Sequence, residues 1–223
     1  MTSDLAQRLS ELRQELNTFG PPGPTLVAVS KTVTADVIRT AYETGQRDFG
    51  ENRVQDLLTK MDALQDLSDI RWHFIGRLQR NKVRKIVGRV ALIHSVDSLR
   101  LAQAISRVAS EENIGSVEVL LEVNVTGEES KAGFTASSVK EEIKELIALP
   151  SLKIGGLMTM APFVDDEKVL SHCFSNLRLL AEELSQEYGS GTSLSMGMSN
   201  DYPIALREGA TIVRVGSRIF HGG

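Results

Sequence analysis

A single cysteine among 223 residues limits the chemistry that this chain can perform. An internal disulfide and a C-x-x-C redox pair each need two cysteines, so both are excluded. Such sparing use of cysteine is typical of a reducing compartment, and we expect the protein to be cytoplasmic. The one cysteine, Cys173, lies in the helical pattern VLSHCFSNLRLL. A buried, unreactive thiol is the expectation there.

Long apolar runs are also missing. No stretch approaches the roughly 18 apolar residues that span a bilayer, so no membrane helix is expected. The first 20 residues do not resemble a signal peptide, because they predict a charged amphipathic helix whose leucines share one side. Those leucines are Leu5, Leu9, Leu12 and Leu16. The motif GPPGP, residues 20–24, is expected to end this helix.

Charge is nearly balanced, with a formal net charge of −4 and no strongly basic domain. This argues against a protein that binds nucleic acid or membrane surfaces through its charge. One basic segment, residues 77–89, holds six lysines or arginines and no acid. Its apolar residues, such as Val83 and Ile86, fit a buried helical stripe, which favours a solvated helix face. The alternative is that this segment contacts an anion or a partner.

Eight short apolar runs follow Pro24, and helical patterns separate most of them. They cover residues 26–31, 47–52, 72–76, 92–97, 117–125, 152–160, 194–199 and 211–217. This alternation predicts an α/β fold of parallel strands joined by right-handed crossovers. Eight units in a chain of this length favour a single closed (β/α)8 TIM-type barrel. An open doubly wound sheet is less favoured, because no G-x-G-x-x-G follows the first strand.

The domain organisation follows from the same pattern. No linker or low-complexity segment interrupts the chain, so residues 1–223 are predicted to form one domain. Residues 1–20 are predicted to pack on the barrel as an additional helix.

Lys31 is the first candidate functional residue. It ends an apolar run in which Val27 and Val29 share its face, so that face should point into the core. Burial lowers the pKa of an amine, and a neutral amine attacks carbonyl groups. A lysine at the C-terminal mouth of a barrel therefore predicts a Schiff base. A lysine that reaches solvent, or that pairs with a carboxylate such as Asp201, is the alternative.

The motif VRVGSRI predicts an anion site after the eighth strand. Arg214 and Gly216 share a face, glycine lets backbone N–H groups approach an anion, and Ser217 adds a hydroxyl. Phosphate commonly binds after strands seven and eight of such barrels. A simple turn glycine is the alternative at this position.

The motif SMGMSND predicts further anion-binding donors beside the first set. Ser199 and Asn200 precede a short helix that begins at Tyr202–Pro203, and its N-terminus would face the same region. Helix capping alone is the alternative. The four histidines show no metal-binding spacing, and no metal site is expected. His73 is expected either near the mouth or in the core.

Seven longer motifs resemble the pyridoxal phosphate homeostasis protein family, also called the YggS/PROSC family. They are AVSKT, FGENRVQ, WHFIGRLQRNK, LLEVNVTGEESKAGF, GGLMTMAP, LSMGMSND and VRVGSRIFH. Together they extend over nearly the whole chain after the N-terminal helix. The resemblance implies a single barrel similar to the N-terminal domain of alanine racemase, of the kind called PLP fold type III, that carries pyridoxal 5′-phosphate (PLP).

The resemblance also implies roles for individual residues. It implies that Lys31 forms the internal aldimine with the cofactor and that Arg214 faces the pyridine nitrogen. The implied ring contacts are Asn52 and Met196, and the implied phosphate-binding residues are Ser199, Asn200, Gly216 and Ser217. No metal is implied.

Two observations favour a carrier of PLP over an enzyme. A guanidinium beside the pyridine nitrogen disfavours protonation of that nitrogen, which makes the ring a poorer electron sink. A racemase also needs an acid–base group on the opposite face of the cofactor, and in the racemase family a tyrosine from a second, C-terminal β-domain supplies it. Here the chain ends six residues after Ser217, and Tyr42, Tyr188 and Tyr202 lie in helical patterns. We therefore expect neither the β-domain nor such a tyrosine.

The expected function is PLP binding in intracellular cofactor homeostasis, which includes cofactor supply and the balance of amino and keto acids, without catalytic turnover. A PLP-dependent enzyme of low activity on amino acids is the main alternative. A cofactor-free Schiff-base aldolase and a regulatory module that uses the basic segment are the others. PLP-dependent apo-enzymes or a regulatory protein are the expected partners, and the protein is expected to be a monomer.

Overall fold

The strands form a closed barrel in a computed structural model that describes residues 2–20, 23–127 and 132–222. They are β1 (Thr25–Val29), β2 (Asp48–Glu51), β3 (Arg71–Phe74), β4 (Leu92–Val96), β5 (Val117–Glu122), β6 (Leu152–Met158), β7 (Ser193–Ser195) and β8 (Ile212–Val215). All neighbouring pairs are parallel, and β8 pairs with β1. The predicted (β/α)8 barrel is confirmed.

In the described residues, α-helices fill every connection between consecutive strands except that between β3 and β4, and further helices precede β1 and follow β8. They are α1 (Thr2–Asn17), α2 (Ala35–Glu43), α3 (Val54–Ala63), α4 (Leu99–Glu111), α5 (Ala136–Ile147), α6 (Glu167–Tyr188), α7 (Tyr202–Arg207) and α8 (Ser217–Phe220). No helix in these described ranges has both the length and the apolar character needed to cross a membrane. Part of the motif GPPGP (residues 21–22) and part of LLEVNVTGEESKAGF (residues 128–131) lie outside the described residues.

The basic segment differs from its prediction. Its only regular structure is a six-residue 3-10 helix, Arg80–Lys85, and turns follow it. The predicted apolar stripe is nevertheless correct, because Leu78, Val83, Ile86 and Val87 are all buried. Only Val83 lies within the 3-10 helix, and the other three are buried from the segments that flank it.

Local sequence explains where the longest helix begins and ends. The carboxylate of Asp166 accepts hydrogen bonds from the first backbone N–H groups of α6, which would otherwise lack partners. Gly189 ends α6 in the left-handed region at a φ of 71°, which glycine adopts without steric cost. Cys173 lies on the buried side of α6, as predicted.

The strands separate two apolar layers, because successive side chains point to opposite faces. Ala28 and Val213 belong to the large core between the sheet and the helices. A second cluster comes from the alternate positions and fills the barrel interior. Its members are Val27, Leu92, Leu120, Met158 and Ile212. The leucines of α1 are buried in the outer core.

Several strands are shorter than the predicted apolar runs. β1 ends at Val29 rather than at residue 31, and β7 ends at Ser195 rather than at residue 199. The candidate functional residues therefore lie mainly in the loops just past the C-terminal ends of the strands.

Candidate cofactor-binding site

The candidate site lies where the first and last strands pair. Val27 pairs with Arg214 and Ala28 with Val215, which places Val29 beside Gly216. A Cβ atom at Gly216 would lie 3.1 Å from the carbonyl oxygen of Val29, so this close approach favours glycine. The loops after β1 and β8 consequently leave the barrel side by side.

Lys31 lies in the turn after β1, and its side chain is exposed. Within the described residues it has no hydrogen bond or ion pair. The prediction that Lys31 points into the core is wrong, because the strand ends two residues earlier. The suggested pair with Asp201 does not form either, and the side chain of Asp201 accepts a hydrogen bond from the N–H of Met198 instead. Lys31 therefore presents a primary amine at the mouth of the barrel.

Ser30 fixes the backbone immediately before this amine. Its hydroxyl donates to Glu51 Oε1 at 2.6 Å, and its N–H donates to the carbonyl of Gly50 at 3.0 Å. Lys60 Nζ donates to the carbonyl of Ser30 and to Glu51 Oε1, both at 2.7 Å. Sequence reasoning missed this network, because its members come from three separate elements.

The phosphate candidates cluster at the ends of β7 and β8. Ser199 Oγ accepts a hydrogen bond from the N–H of Gly216 at 3.3 Å, which ties the two strand ends together. Gly216 immediately precedes α8, whose first residue, Ser217, is exposed. Asn200 is also exposed, in the turn before α7. The four predicted phosphate residues thus lie around two adjacent loops.

Gly197 shapes the turn that carries Ser199 and Asn200. Its φ of 93° is in the left-handed region, and a Cβ atom there would lie 2.7 Å from the Cβ of Ala205. Only glycine fits without displacing α7. Burial raises the pKa of the nearby Asp201 carboxyl above its usual value.

Arg214 is the buried cation of the site. Its Nη1 donates to Ser195 Oγ at 2.5 Å and its Nη2 to the carbonyl of Thr159 at 3.0 Å. Burial lowers the pKa of Arg214 to about 10, although the charges of Asp201 and Glu122 oppose this shift. The guanidinium therefore remains charged at neutral pH.

The two predicted ring contacts lie in different surroundings. Met196 is fully buried directly after β7. Asn52 is half-buried after β2 and lines a cavity of about 260 Å³ together with Arg77 and Lys82. Asn52 therefore lies at the end of β2 and lines the same cavity as two residues of the basic segment.

Behind Arg214, a row of hydrogen-bonded side chains crosses the barrel interior. Ser195 Oγ lies 2.8 Å from His94 Nδ1, and His94 Nε2 lies 2.9 Å from His73 Nδ1. His73 Nε2 lies 3.0 Å from Asp48 Oδ1. His73 is therefore a core histidine, one of its two predicted alternatives. Sequence reasoning missed His94 and Asp48, although the period-two pattern of each strand places both on the inward face.

The fold and this site define a class of protein. The strands close a parallel barrel, and residues 2–222 of the chain match the family model "Alanine racemase, N-terminal domain". Within the described residues there is no cluster of side chains suited to a metal ion.

Relatives identify the family more closely. The chain is 47% identical over 196 residues to the pyridoxal phosphate homeostasis protein of Aquifex aeolicus, covering 87% of this chain and 85% of that protein. It is 44% identical over 201 residues to the protein of the same name from Synechocystis, covering 90% and 92%. The chain belongs to the pyridoxal phosphate homeostasis protein family.

Solved structures agree with this assignment. The barrel matches PipY of Synechococcus elongatus, solved with PLP bound, at a TM-score of 0.90 and 42% identity, covering 97% of this chain and 99% of PipY. It also matches alanine racemase of Clostridium difficile at a TM-score of 0.79. That match covers 98% of this chain and only 56% of the racemase, and at 15% identity it shows a shared fold alone.

Proposed function

We propose that this protein binds PLP reversibly at the C-terminal mouth of the barrel and acts in cofactor homeostasis. The observation that carries the proposal is the pairing of β1 with β8. This pairing places the turn that carries the exposed Lys31 beside the strand end that carries the phosphate candidates Gly216 and Ser217. The 42% identity to PipY, solved with PLP bound, supports the same assignment.

The residues present fit the three recognisable groups of PLP. Lys31 supplies an amine for the aldehyde, and Arg214 supplies a fixed positive charge for the pyridine nitrogen. Hydroxyl and backbone donors surround the proposed phosphate position, and they belong to Ser199, Asn200, Gly216 and Ser217. An anion has room there because Gly216 has no side chain. Asn52 and Met196 are proposed to contact the ring. Bound PLP supplies an electrophilic ring that withdraws electrons from attached amines.

The side chains around this position support binding more than turnover. Arg214 remains a cation at neutral pH, so it disfavours a protonated pyridine nitrogen and weakens the electron sink. The three tyrosines lie on helices, where Tyr42 and Tyr188 belong to α2 and α6. The hydroxyl of Tyr202 bonds to Glu15 on α1. Among the described residues, no tyrosine is placed at a strand end to exchange a proton above the cofactor.

The proposal includes the setting in which the protein acts. Residues 1–223 are proposed to act as one cytoplasmic, monomeric domain. It would supply PLP to PLP-dependent apo-enzymes, or respond to a regulatory protein, and so influence the balance of amino and keto acids.

Borohydride reduction of the purified, PLP-loaded protein tests the binding proposal. We expect a visible absorption band that reduction removes, and a pyridoxyl group on the peptide that contains Lys31. A label confined to other lysines would overturn the assignment.

Turnover is tested separately, by incubating the loaded protein with each common amino acid in D2O and measuring exchange of the α-proton. We expect no exchange above that caused by free PLP. Rapid exchange with any amino acid would favour the alternative, a PLP-dependent enzyme of low activity.

A further inference from the structure

Five buried side chains form a continuous hydrogen-bonded row through the barrel, which we call the interior relay. Its members are Asp48, His73, His94, Ser195 and Arg214. Asp48 is the first residue of β2, at the N-terminal end of the barrel, whereas Arg214 lies under the mouth. All five are less than a tenth exposed. The relay therefore connects the two ends of the barrel through its interior.

Donor and acceptor chemistry gives the relay one direction. A guanidinium only donates, so Arg214 Nη1–H donates to Ser195 Oγ. At the other end, the Asp48 carboxylate only accepts, so His73 Nε2–H donates to it. A neutral His73 then accepts at Nδ1 from His94 Nε2–H, which leaves His94 Nδ1 to accept from the Ser195 hydroxyl. This pattern assigns the Nε2–H tautomer to both histidines.

The charges at the two ends agree with this direction. Burial alone would raise the pKa of Asp48, but hydrogen bonds from Arg71 and His73 outweigh it and lower the pKa to about 2. Burial is the main reason that the pKa of His94 lies well below its usual value, and the positive charge of Arg214 acts in the same direction. The relay thus joins a cation to an anion through a neutral His94, and each hydrogen bond points from the cation towards the anion.

We propose that Asp48, His73 and His94 are positioning residues that orient Arg214 towards the cofactor ring. Ser195 Oγ and the Thr159 carbonyl are the two groups that hold the guanidinium. A serine hydroxyl rotates freely unless an acceptor fixes it, and His94 Nδ1 is that acceptor. His94 Nδ1 can accept only when the His94 proton is on Nε2, and the acceptor His73 Nδ1 holds it there. Asp48 in turn holds the His73 proton on Nε2. The part of this proposal that concerns the cofactor rests on the proposed function.

The tautomers are measurable without cofactor, by NMR of the apo-protein labelled with 15N in the histidine rings. We expect Nε2–H at both His73 and His94 in the unaltered protein. Replacing the acceptor by Asp48→Leu should raise the Nδ1–H fraction at His94, although His94 does not contact Asp48. Nδ1–H at either histidine of the unaltered protein overturns the proposal, and this measurement needs no variant to fold.

A matched control separates the relay from the ion pair at its end. Arg71 bonds to the same carboxylate from outside the relay, and its side chain is 59% exposed. Arg71→Gln should leave both tautomers unchanged. A folded Asp48→Leu variant that leaves His94 unchanged, or an equal response to Arg71→Gln, contradicts the proposal.

The consequence for the cofactor is tested by titrating PLP into the two variants. Loss of one net hydrogen bond weakens binding by about three- to tenfold, and we expect that loss for Asp48→Leu together with a shifted absorption maximum. We expect Arg71→Gln to bind within about twofold of the unaltered protein. Unchanged affinity and spectrum in a folded Asp48→Leu variant overturn the positioning role. If the unaltered protein does not bind PLP, the proposed function fails, while the NMR result still decides whether the relay has the assigned direction.

Discussion

Among the single side chains, Lys31 and Ser30 have opposite surroundings although they are neighbours. Lys31 is exposed, whereas Ser30 is fully buried and bonded through its hydroxyl, its N–H and its carbonyl. The amine can therefore move while its backbone stays fixed. This arrangement suits reversible capture of an aldehyde, because the side chain reaches the ligand without disturbing the barrel.

Replacing the amine should separate covalent capture from phosphate binding. We expect Lys31→Ala to lose the visible absorption band while PLP still binds weakly through the phosphate contacts. The measurement is a spectral titration together with equilibrium dialysis. Lys153→Ala is the control, since Lys153 is an exposed lysine near the start of β6. A visible band of normal intensity in Lys31→Ala would contradict the assignment.

The lowered pKa of Asp48 predicts how the unfolding free energy depends on pH. Its pKa is lowered to about 2, so its stabilising contribution is complete above the unfolded pKa near 4 and disappears as pH falls towards 2. The shift corresponds to about 2 kcal/mol of unfolding free energy. Urea denaturation between pH 5 and 2 should show a shallower loss in Asp48→Asn than in the unaltered protein. Parallel pH profiles would contradict this role for Asp48.

Among the helices and strands, the contact between α3 and the ends of β1 and β2 depends on a buried ion pair. The side chain of Glu51 is fully buried, and that of its partner Lys60 is 12% exposed. The second carboxylate oxygen, Oε2, is buried without a partner in the described residues. This contact holds the turn that carries Lys31.

Removing the amine from this pair should be costly. We expect Lys60→Met to lower the unfolding free energy by about 3–5 kcal/mol, because it leaves the Glu51 carboxylate buried and uncompensated. Urea denaturation measures the loss. Lys153→Met is the matched control, because the Lys153–Glu118 pair is exposed and worth at most about 1 kcal/mol.

A second substitution distinguishes the buried charge from lost packing. Adding Glu51→Leu to Lys60→Met should recover most of the stability, since the orphaned charge is then gone. If the double variant is as unstable as Lys60→Met, packing by the lysine side chain explains the loss.

The sequence predicted the barrel because strand–helix alternation is a local pattern. It also predicted that Arg214 lies on the face of β8 opposite Val213 and Val215, which the structure shows to be the inward face. It did not predict the relay, because His73 and His94 meet only through the register of β3 against β4. It placed Lys31 wrongly because the end of β1 is set by pairing with its neighbours. The individual roles taken from the family resemblance remain predictions.

The barrel as a unit should be stabilised by its ligand, because the site exists only while β1 and β8 are paired. A ligand at a hundred times its Kd adds about 2.7 kcal/mol of unfolding free energy. For a chain of this size, this amounts to an increase of about 5–10 °C in Tm. Thermal denaturation with PLP should show this increase, and pyridoxal, which lacks the phosphate, should give a smaller one at the same concentration. Equal increases would argue against phosphate recognition after β8.

Because the candidate site needs both β1 and β8, it is completed only late in synthesis. A ribosome builds the chain from the N-terminus, so Lys31 is present long before Gly216 and Ser217 exist. A nascent chain thus carries a reactive amine with no phosphate contacts beside it, and any captured aldehyde would be held weakly. If the proposed site is correct, ligand retention would begin only when the last strand closes the barrel, and bound cofactor would then report completed folding.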